Sequence, residues 1–441
     1  MLQSYRFHVA ALCIIITGSL GAVQELRRSG FLGVVAVQIP DAVRRANETG
    51  VLVQSLVEGG SAKAADIQPN DIITQVNEHR VSDVNDFVQV ARSLRAGDMA
   101  TIRLRRGEAT LTKQVAVKPR PYETAPDADV FYKAITVDGS LRRVIVTAPK
   151  APGHHPAILY LNGVGCFSQE SLDLSSPDAK LLYGLTRAGF VTMRVEKTSM
   201  GDSQGPPCAS AQADLRAEVR SYVAGLAALK QYPFVDPAKI FIVGISLGGV
   251  EAPLVAQQES VKGIAVINTV ARPLFEYLLD TLRRQAMLRH TPYDEVDRNM
   301  RLNELCNHRL LIDRQTPEQI IKETPPCQGH IEYPAPYTLM QQWAALNLAE
   351  EWKRVASPVL IVYGTSDFIS SIADDPYLAD LINSFHPGHA TVKAIAGMDH
   401  YMTKAATMEE SLTRTPGTRT EFEPAVLEVI RAWLNQELGK A

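Results

Sequence analysis

The chain has 441 residues, with 45 lysines and arginines against 48 aspartates and glutamates, for a formal net charge of −3. That length suits two or three domains. The two signs of charge are interspersed, which excludes the basic face or stripe that a nucleic-acid partner requires.

The first residues differ from the rest. Arg6 and the amino terminus form a small positive region, and an uncharged stretch follows from Val9 to Val23. It is short for a membrane span, which needs about 20 apolar residues. Residues 1–23 therefore read as a signal peptide, with small residues at Ser19, Gly21 and Ala22 for cleavage, or else as an uncleaved membrane anchor. The first reading predicts a periplasmic or secreted protein. The second predicts one anchored at the inner membrane, and only then is a membrane a partner. Removal of a signal would take Cys13 with it and leave Cys166, Cys208, Cys306 and Cys327. Four cysteines permit two disulfides in an exported protein, and would be free thiols in a cytosolic one. No Cys-x-x-Cys pair or Cys/His cluster points to zinc, and no metal or cofactor is expected.

Residues 29–118 alternate short strands with one or two helices. Val51 to Leu56 has strand character, Ala62 to Ala65 makes a short helix, and Ile72 to Val76 is a strand after the Pro69-Asn70-Asp71 turn. Asp86 to Leu94 has helical periodicity, and two further strands flank the Arg106-Gly107 turn. Residues 119–130, with prolines at 119, 121 and 126 and no apolar period, read as a linker.

From residue 131 a leading hairpin is followed by alternating strands and helices. The strands are Ala157 to Leu161, Val191 to Val195, Lys239 to Val243, Gly263 to Ile267 and Val359 to Tyr363. The helices include Leu181 to Ala188 and Asp214 to Gln231. This is the α/β pattern of a mostly parallel sheet with helices on both faces, whose active site lies at the carboxyl ends of the strands. Between about 269 and 355 the pattern turns helical and polar.

Gly244-Ile245-Ser246-Leu247-Gly248 fits the G-x-S-x-G nucleophile elbow, in which a strand turns sharply into a helix and leaves the serine exposed above the sheet. Three fixed residues are weak evidence by themselves. The apolar strand before them and the helix-compatible run after them make the pattern specific. A serine needs a base, and the base an orienting acid. Downstream, the strand ending in Tyr363 leads to a loop with Asp367, and a second strand-like run ends at His400. That is the order Ser, Asp, His. Asp374 and Asp375 are alternative acids, His386 and His389 precede the last strand, and Asp399 adjoins the base. An oxyanion hole needs two backbone donors. The N–H of Leu247 is the first, and Val164, in the loop Asn162-Gly163-Val164-Gly165-Cys166, is the expected second, with Gly165 as the alternative.

Two family resemblances follow from these residues. Residues 131–441 resemble the α/β-hydrolases, in particular serine esterases and serine aminopeptidase-like members. The match extends to Arg194-Val195-Glu196-Lys197 and Gly201-Asp202-Ser203-Gln204-Gly205, which look like the family's turn after the fourth strand and are expected to be structural. The insertion at 269–355, with Phe275, Tyr277, Tyr337, Met340, Trp343 and Trp352, falls where the family places its cap. These side chains either shape an apolar pocket or pack the cap onto the core. With Cys166 and Cys208 in the two loops flanking the pocket mouth, and Cys306 and Cys327 both in the cap, the resemblance implies a disulfide within each pair.

Residues 29–118 resemble a bacterial-type PDZ domain, a small β-rich fold, through Gly30 to Val34, Gly60 to Ala65 and Gln68 to Ile73. That resemblance implies that Phe31, Leu32, Gly33 and Val34 present backbone N–H groups to a peptide's terminal carboxylate, or else that the module binds nothing. Asp66 departs from the family, which usually has glycine there.

The leading reading is a serine hydrolase that cleaves carboxylic esters through an acyl-enzyme. A serine peptidase with PDZ-assisted peptide recruitment is the alternative, and an inactive exported peptide-binding adaptor is a further one. The partners expected are a small-molecule ester or peptide substrate and a protein C-terminus at the PDZ-like module.

Overall fold

The computed structural model describes residues 26–45, 47–170, 174–415, 418 and 420–440. The signal or anchor expected over 1–23, with Cys13, lies outside the described residues. Among the described residues no helix is long and apolar enough to cross a membrane.

The amino-terminal sheet contains β1 (Val34–Gln38), β2 (Val51–Leu56), β3 (Ile72–Val76), β4 (His79–Arg80), β5 (Met99–Arg106) and β6 (Ala109–Ala116). Its order is β1-β2-β3-β5-β6, with β4 on β3, and every pairing is antiparallel. Alternate residues of the strands, among them Val51, Val53, Ile102 and Leu104, bury one face against Phe87 of α2 (Val84–Ser93). Asp83 caps α2 by accepting from the Asp86 N–H. The short α1 (Ser61–Ala64) follows Gly60, whose backbone lies against Gly33 so closely that a β-carbon on either would stand 2.7 Å from the other's Cα. Asp66 has φ +55°, the left-handed conformation that explains why glycine is usual there. Its carboxylate is held by Lys113, Arg106 and Gln68, which offsets the backbone cost.

The second sheet has eight strands in the order β14-β13-β12-β11-β9-β10-β8-β7. They are β7 (Ala128–Val137), β8 (Ser140–Pro149), β9 (His155–Leu161), β10 (Val191–Val195), β11 (Val235–Ile245), β12 (Gly263–Ile267), β13 (Val359–Gly364) and β14 (Ala390–Ile395). The hairpin β7–β8 and the β8–β10 pair are antiparallel and the other pairings are parallel. Both faces are covered, so the central strands carry buried apolar residues on both faces. Leu159, Ile242, Val266 and Ile361 face one layer, which includes α4 (Leu215–Leu229) and α5 (Leu247–Ala256). Their neighbours Ile158, Phe241, Ala265 and Leu360 face the other, which includes α3 (Pro177–Arg187) and α13 (Ala425–Leu438).

The cap comprises α6 (Leu274–Leu288), α7 (Tyr293–Asn307), α8 (Pro317–Glu323), α9 (Tyr337–Ala344) and α10 (Leu348–Lys353), all between β12 and β13. Cys306 and Cys327 are bonded within it, and Cys166 is bonded to Cys208. Tyr277, Met340, Trp343 and Trp352 are buried in the core cluster, so these four pack the cap onto the sheet, and Phe275 and Tyr337 are half-buried beside them. Two later helices, α11 (Asp374–Phe385) and α12 (Met408–Thr413), complete the chain's layers.

The stretch expected to be a linker is fastened down. β7 begins inside it at Ala128, and Glu123 is buried against Arg194 and the Tyr183 hydroxyl. The sequence offered no apolar period there because the stretch is held by charge. A second charged knot joins the amino-terminal module to the large sheet. Asp202 accepts from the Ser29 N–H at 2.7 Å, the Arg28 guanidinium at 3.0–3.1 Å and Arg143 Nε at 3.0 Å. Arg28 also pairs with Glu170 and lies over the rings of Tyr122 and Tyr132.

Burial opposes ionisation of Asp202, but the Ser29 N–H, Arg28 and Arg143 outweigh it and hold the carboxyl below the usual range. Its contribution to stability is therefore complete above the ordinary aspartate value of about 4 and is lost as pH falls through the folded value. Asp202→Asn should cost about 3 kcal/mol or more at pH 7, because it leaves two buried guanidiniums short of a counter-charge. The deficit should shrink as the pH is lowered below about 4. Urea unfolding of both proteins across pH 3–7 checks this, and a loss that does not vary with pH would remove the ionic account.

Candidate active site

Ser246 sits where β11 ends and α5 begins, with φ +54° and ψ −119°. This conformation is rare for a residue with a side chain, and it is held by contacts on every side. The Ser246 N–H donates to Ile267 O at 2.9 Å, and its carbonyl accepts from the Thr269 hydroxyl at 3.1 Å. A β-carbon on Gly244 would stand 2.5 Å from Gly248 O, and one on Gly248 would stand 2.2 Å from Leu161 O. Both glycines are thus needed for strand and helix to approach. Leu247 opens α5, so its N–H is among the first four of the helix, which have no intrahelical acceptor.

Asp367 and His400 come together from the loops after β13 and β14. His400 Nδ1 lies 2.8 Å from Asp367 Oδ2. The other aspartate oxygen accepts from the N–H groups of Ile369 at 2.7 Å and Ser370 at 2.9 Å. Asp367 is therefore fixed in rotation and aims one oxygen at the imidazole. With Nδ1–H donated to Asp367, Nε2 is left as an acceptor. Among the described residues the Ser246 hydroxyl has no hydrogen bond to His400, so the structure brings His400 and Asp367 together and leaves Ser246 unbonded to His400.

The alternatives considered in the sequence have other occupations. Asp374 accepts from the Ala271 N–H and pairs with Arg272. Asp375 is fully buried beside Asp367 and Asp374, and burial first, then those two neighbours, push its carboxyl up. Asp399 takes the N–H groups of Tyr401 and Thr403, the hydroxyls of Thr403 and Ser411, and Arg414, so it builds the loop that presents His400. His386 and His389 stack on each other beyond α11.

Asn268 has no counterpart in the sequence reading. It follows β12 with φ +49° and is fully buried. Its amide nitrogen donates to the carbonyls of Asp399 and His400, and its amide oxygen accepts from the Gly364 N–H. The Ser370 hydroxyl donates to Asn268 O. One side chain thus ties the ends of β12 and β13 to the His400 loop. Asparagine tolerates a left-handed backbone, which was the one available signal.

The loop after β9 approaches the serine. A β-carbon on Gly163 would lie 3.4 Å from Ser246 Cβ and 3.8 Å from its Oγ. The Asn162 side chain accepts from the Gly163 N–H and donates to Gln169. No carbonyl among the described residues accepts from the Val164 N–H. A cavity of about 210 Å³ lies beside this loop, lined by Gly165, Cys166, Lys197, Glu218 and Tyr222 but not by Ser246 or His400.

In the amino-terminal module Phe31 differs from expectation, because its N–H already donates to Lys118 O at 2.9 Å. No backbone carbonyl among the described residues accepts from Leu32 or Gly33. Val34 begins β1, the edge strand.

Glu196 underlies the loop after β9, accepting from the Ser168 hydroxyl and the Gln169 N–H. Burial pushes its carboxyl up to about 7. A raised value means that its contribution to stability is full below the unfolded value of 4.5 and is lost as pH rises through about 7. Between pH 5 and pH 8 the wild type should therefore lose thermal stability relative to Glu196→Gln. Parallel melting curves across that range would contradict a buried neutral carboxyl.

Comparison with known proteins gives two family matches, a PDZ domain over residues 30–117 and the Alpha/beta hydrolase family over residues 158–410. Esterase EstD of Thermotoga maritima is 24% identical over 238 residues, which cover 54% of this chain and 52% of that protein. The chain thus spans about half the length of this relative. Among solved structures, Est1E from Butyrivibrio proteoclasticus with ferulic acid bound has a TM-score of 0.46 at 16% identity, covering 70% of this chain and all of the other. The acylaminoacyl peptidase of Pyrococcus horikoshii has a TM-score of 0.46 at 12% identity, covering 78% of this chain and 47% of the other.

Proposed function

Because the chain belongs to the alpha/beta hydrolase family, with a PDZ domain ahead of the hydrolase domain, we propose that it is a serine hydrolase of carboxylic esters. The observation that carries this reading is the strained Ser246 at the strand–helix turn, in a site where His400 is oriented by Asp367. In the proposed reaction Ser246 Oγ attacks the ester carbonyl and His400 Nε2 takes its proton. The N–H groups of Leu247 and Val164 receive the developing oxyanion. His400 then gives the proton to the leaving alcohol, and water releases the acyl group by the same steps in reverse. Asp367 stabilises the imidazolium. The triad needs no metal or cofactor.

The relative named an esterase supports ester over amide. The PDZ domain favours the second reading, a peptidase whose substrates arrive by their C-termini. Two disulfides support an exported protein, periplasmic or secreted.

A fluorophosphonate probe should label the wild type and not Ser246→Ala. Asp367→Asn should lower kcat by about a thousandfold or more, because the imidazole loses its orienting acceptor. Labelling of the alanine variant would remove Ser246 as nucleophile, and a wild type that is neither labelled nor active would leave a peptide-binding adaptor. Turnover of p-nitrophenyl esters should exceed that of aminoacyl and peptidyl amides, and the reverse would establish the peptidase.

At the PDZ domain we place the terminal carboxylate of a peptide on the N–H groups of Leu32, Gly33 and Val34, with the peptide adding as a strand to β1. Fluorescence anisotropy should show binding of a peptide with a free C-terminus and not of its amidated form. Equal affinity for the two would refute the carboxylate site.

A further inference from the structure

Lys197 lies in the motif that the sequence marks as a structural turn, yet its contacts reach the loop beside the serine. The side chain is 5% exposed. Its Nζ donates to Gly163 O at 2.8 Å and lies 2.7 Å from Glu218 Oε1, with the Phe167 ring 5.6 Å away. Gly163 is the residue whose added β-carbon would touch Ser246. The carbonyl that Lys197 holds and the N–H of Val164 belong to one peptide unit.

We propose that Lys197 is a positioning residue of the oxyanion site, holding and polarising the Gly163–Val164 peptide so that its N–H serves as the second donor. The inference rests on the serine hydrolase reading above. In a trans peptide the C=O and N–H point in opposite directions. Pinning the oxygen therefore sets the direction of the Val164 N–H. A hydrogen bond received at the oxygen draws charge from the amide nitrogen and makes its N–H a stronger donor. An ionised donor does this about twice as strongly as a neutral one. A purely structural bond to Gly163 O could come from a neutral side chain without the desolvation cost of a buried ion pair. The charge is explained if it acts when negative charge develops on the substrate oxygen.

The test uses Lys197→Met combined with Glu218→Met, which removes the pair without stranding a buried charge, and Lys197→Arg, which keeps a cationic donor. Both are compared with the wild type on a p-nitrophenyl ester and for inhibition by a trifluoromethyl ketone, which forms an oxyanion on the serine. Melting curves report folding. The double variant should lose about tenfold in kcat and about tenfold in ketone affinity, with KM within twofold. The arginine variant should stay within threefold on every measure. A folded double variant with kcat within twofold of the wild type overturns the proposal. So does a rise in KM that accounts for the whole loss. If the double variant does not fold, Lys197→Arg decides: kcat within threefold supports the role, and a larger loss overturns it. Ketone inhibition that persists in Ser246→Ala would instead count against the hydrolase reading itself.

Discussion

No side chain can be accommodated at Gly248, where a β-carbon would stand 2.2 Å from the carbonyl oxygen of Leu161. This contact between helix α5 and the end of β9 organises the region around it. It draws the loop that begins at Asn162 up to Ser246. It also makes β11 turn abruptly, so that Ser246 takes a conformation it would otherwise avoid. Gly249 makes the same kind of contact with Thr269, where an added β-carbon would lie 2.2 Å from the hydroxyl. Three strand ends, those of β9, β11 and β12, are thereby gathered at one place by close packing against two glycines. The strain at Ser246, of order 1–3 kcal/mol for such a conformation, is supported by that packing.

His400 and Asp367 are held differently, by polar side chains spanning loops. Asn268 ties the His400 loop to two strand ends, and Asp399 closes that loop with five contacts of its own. The cap joins this network. Tyr277, Thr281 and Arg284 of α6 all donate to the carbonyl of Ile369, two residues after Asp367. The Asp367 loop is therefore braced from outside by the cap and from inside by its own N–H groups.

Local signals in the sequence anticipated much of this, and long-range polar contacts escaped it. The elbow was legible because a strand, a serine between glycines and a helix are consecutive in the chain. The meeting of Asp367 and His400 could be expected because each lies in a loop after a strand or strand-like run. Asn268 was not, because an asparagine after a strand reads as an ordinary turn until its partners more than 130 residues away are known. Lys197 was hidden for the same reason, since its partner Gly163 lies 34 residues back across β10. The segment 119–130 looked like a linker because it lacks apolar periodicity, whereas its anchor is the buried Glu123–Arg194 pair. The N–H of Phe31 looked available because only the fold brings Lys118 beside it.

The turn from Glu196 to Asp202 connects the two halves of the molecule at short range. Lys197 reaches the loop beside the serine, and five residues later Asp202 grips Arg28 and Ser29, just ahead of Leu32 and Gly33. Between them Gly201 has φ +51°, and a β-carbon there would stand 2.5 Å from Glu196 Oε1. The turn is closed by the Gly201 backbone against the buried Glu196 carboxyl. A shift of Ser29 cannot be absorbed at Asp202 by rotation, because both carboxylate oxygens are already committed to buried donors. It must either break those bonds, at the cost of leaving charge unpaired, or move the turn that carries Lys197. Contacts from this one turn thus reach both the segment that leads into the amino-terminal module and the loop beside the serine.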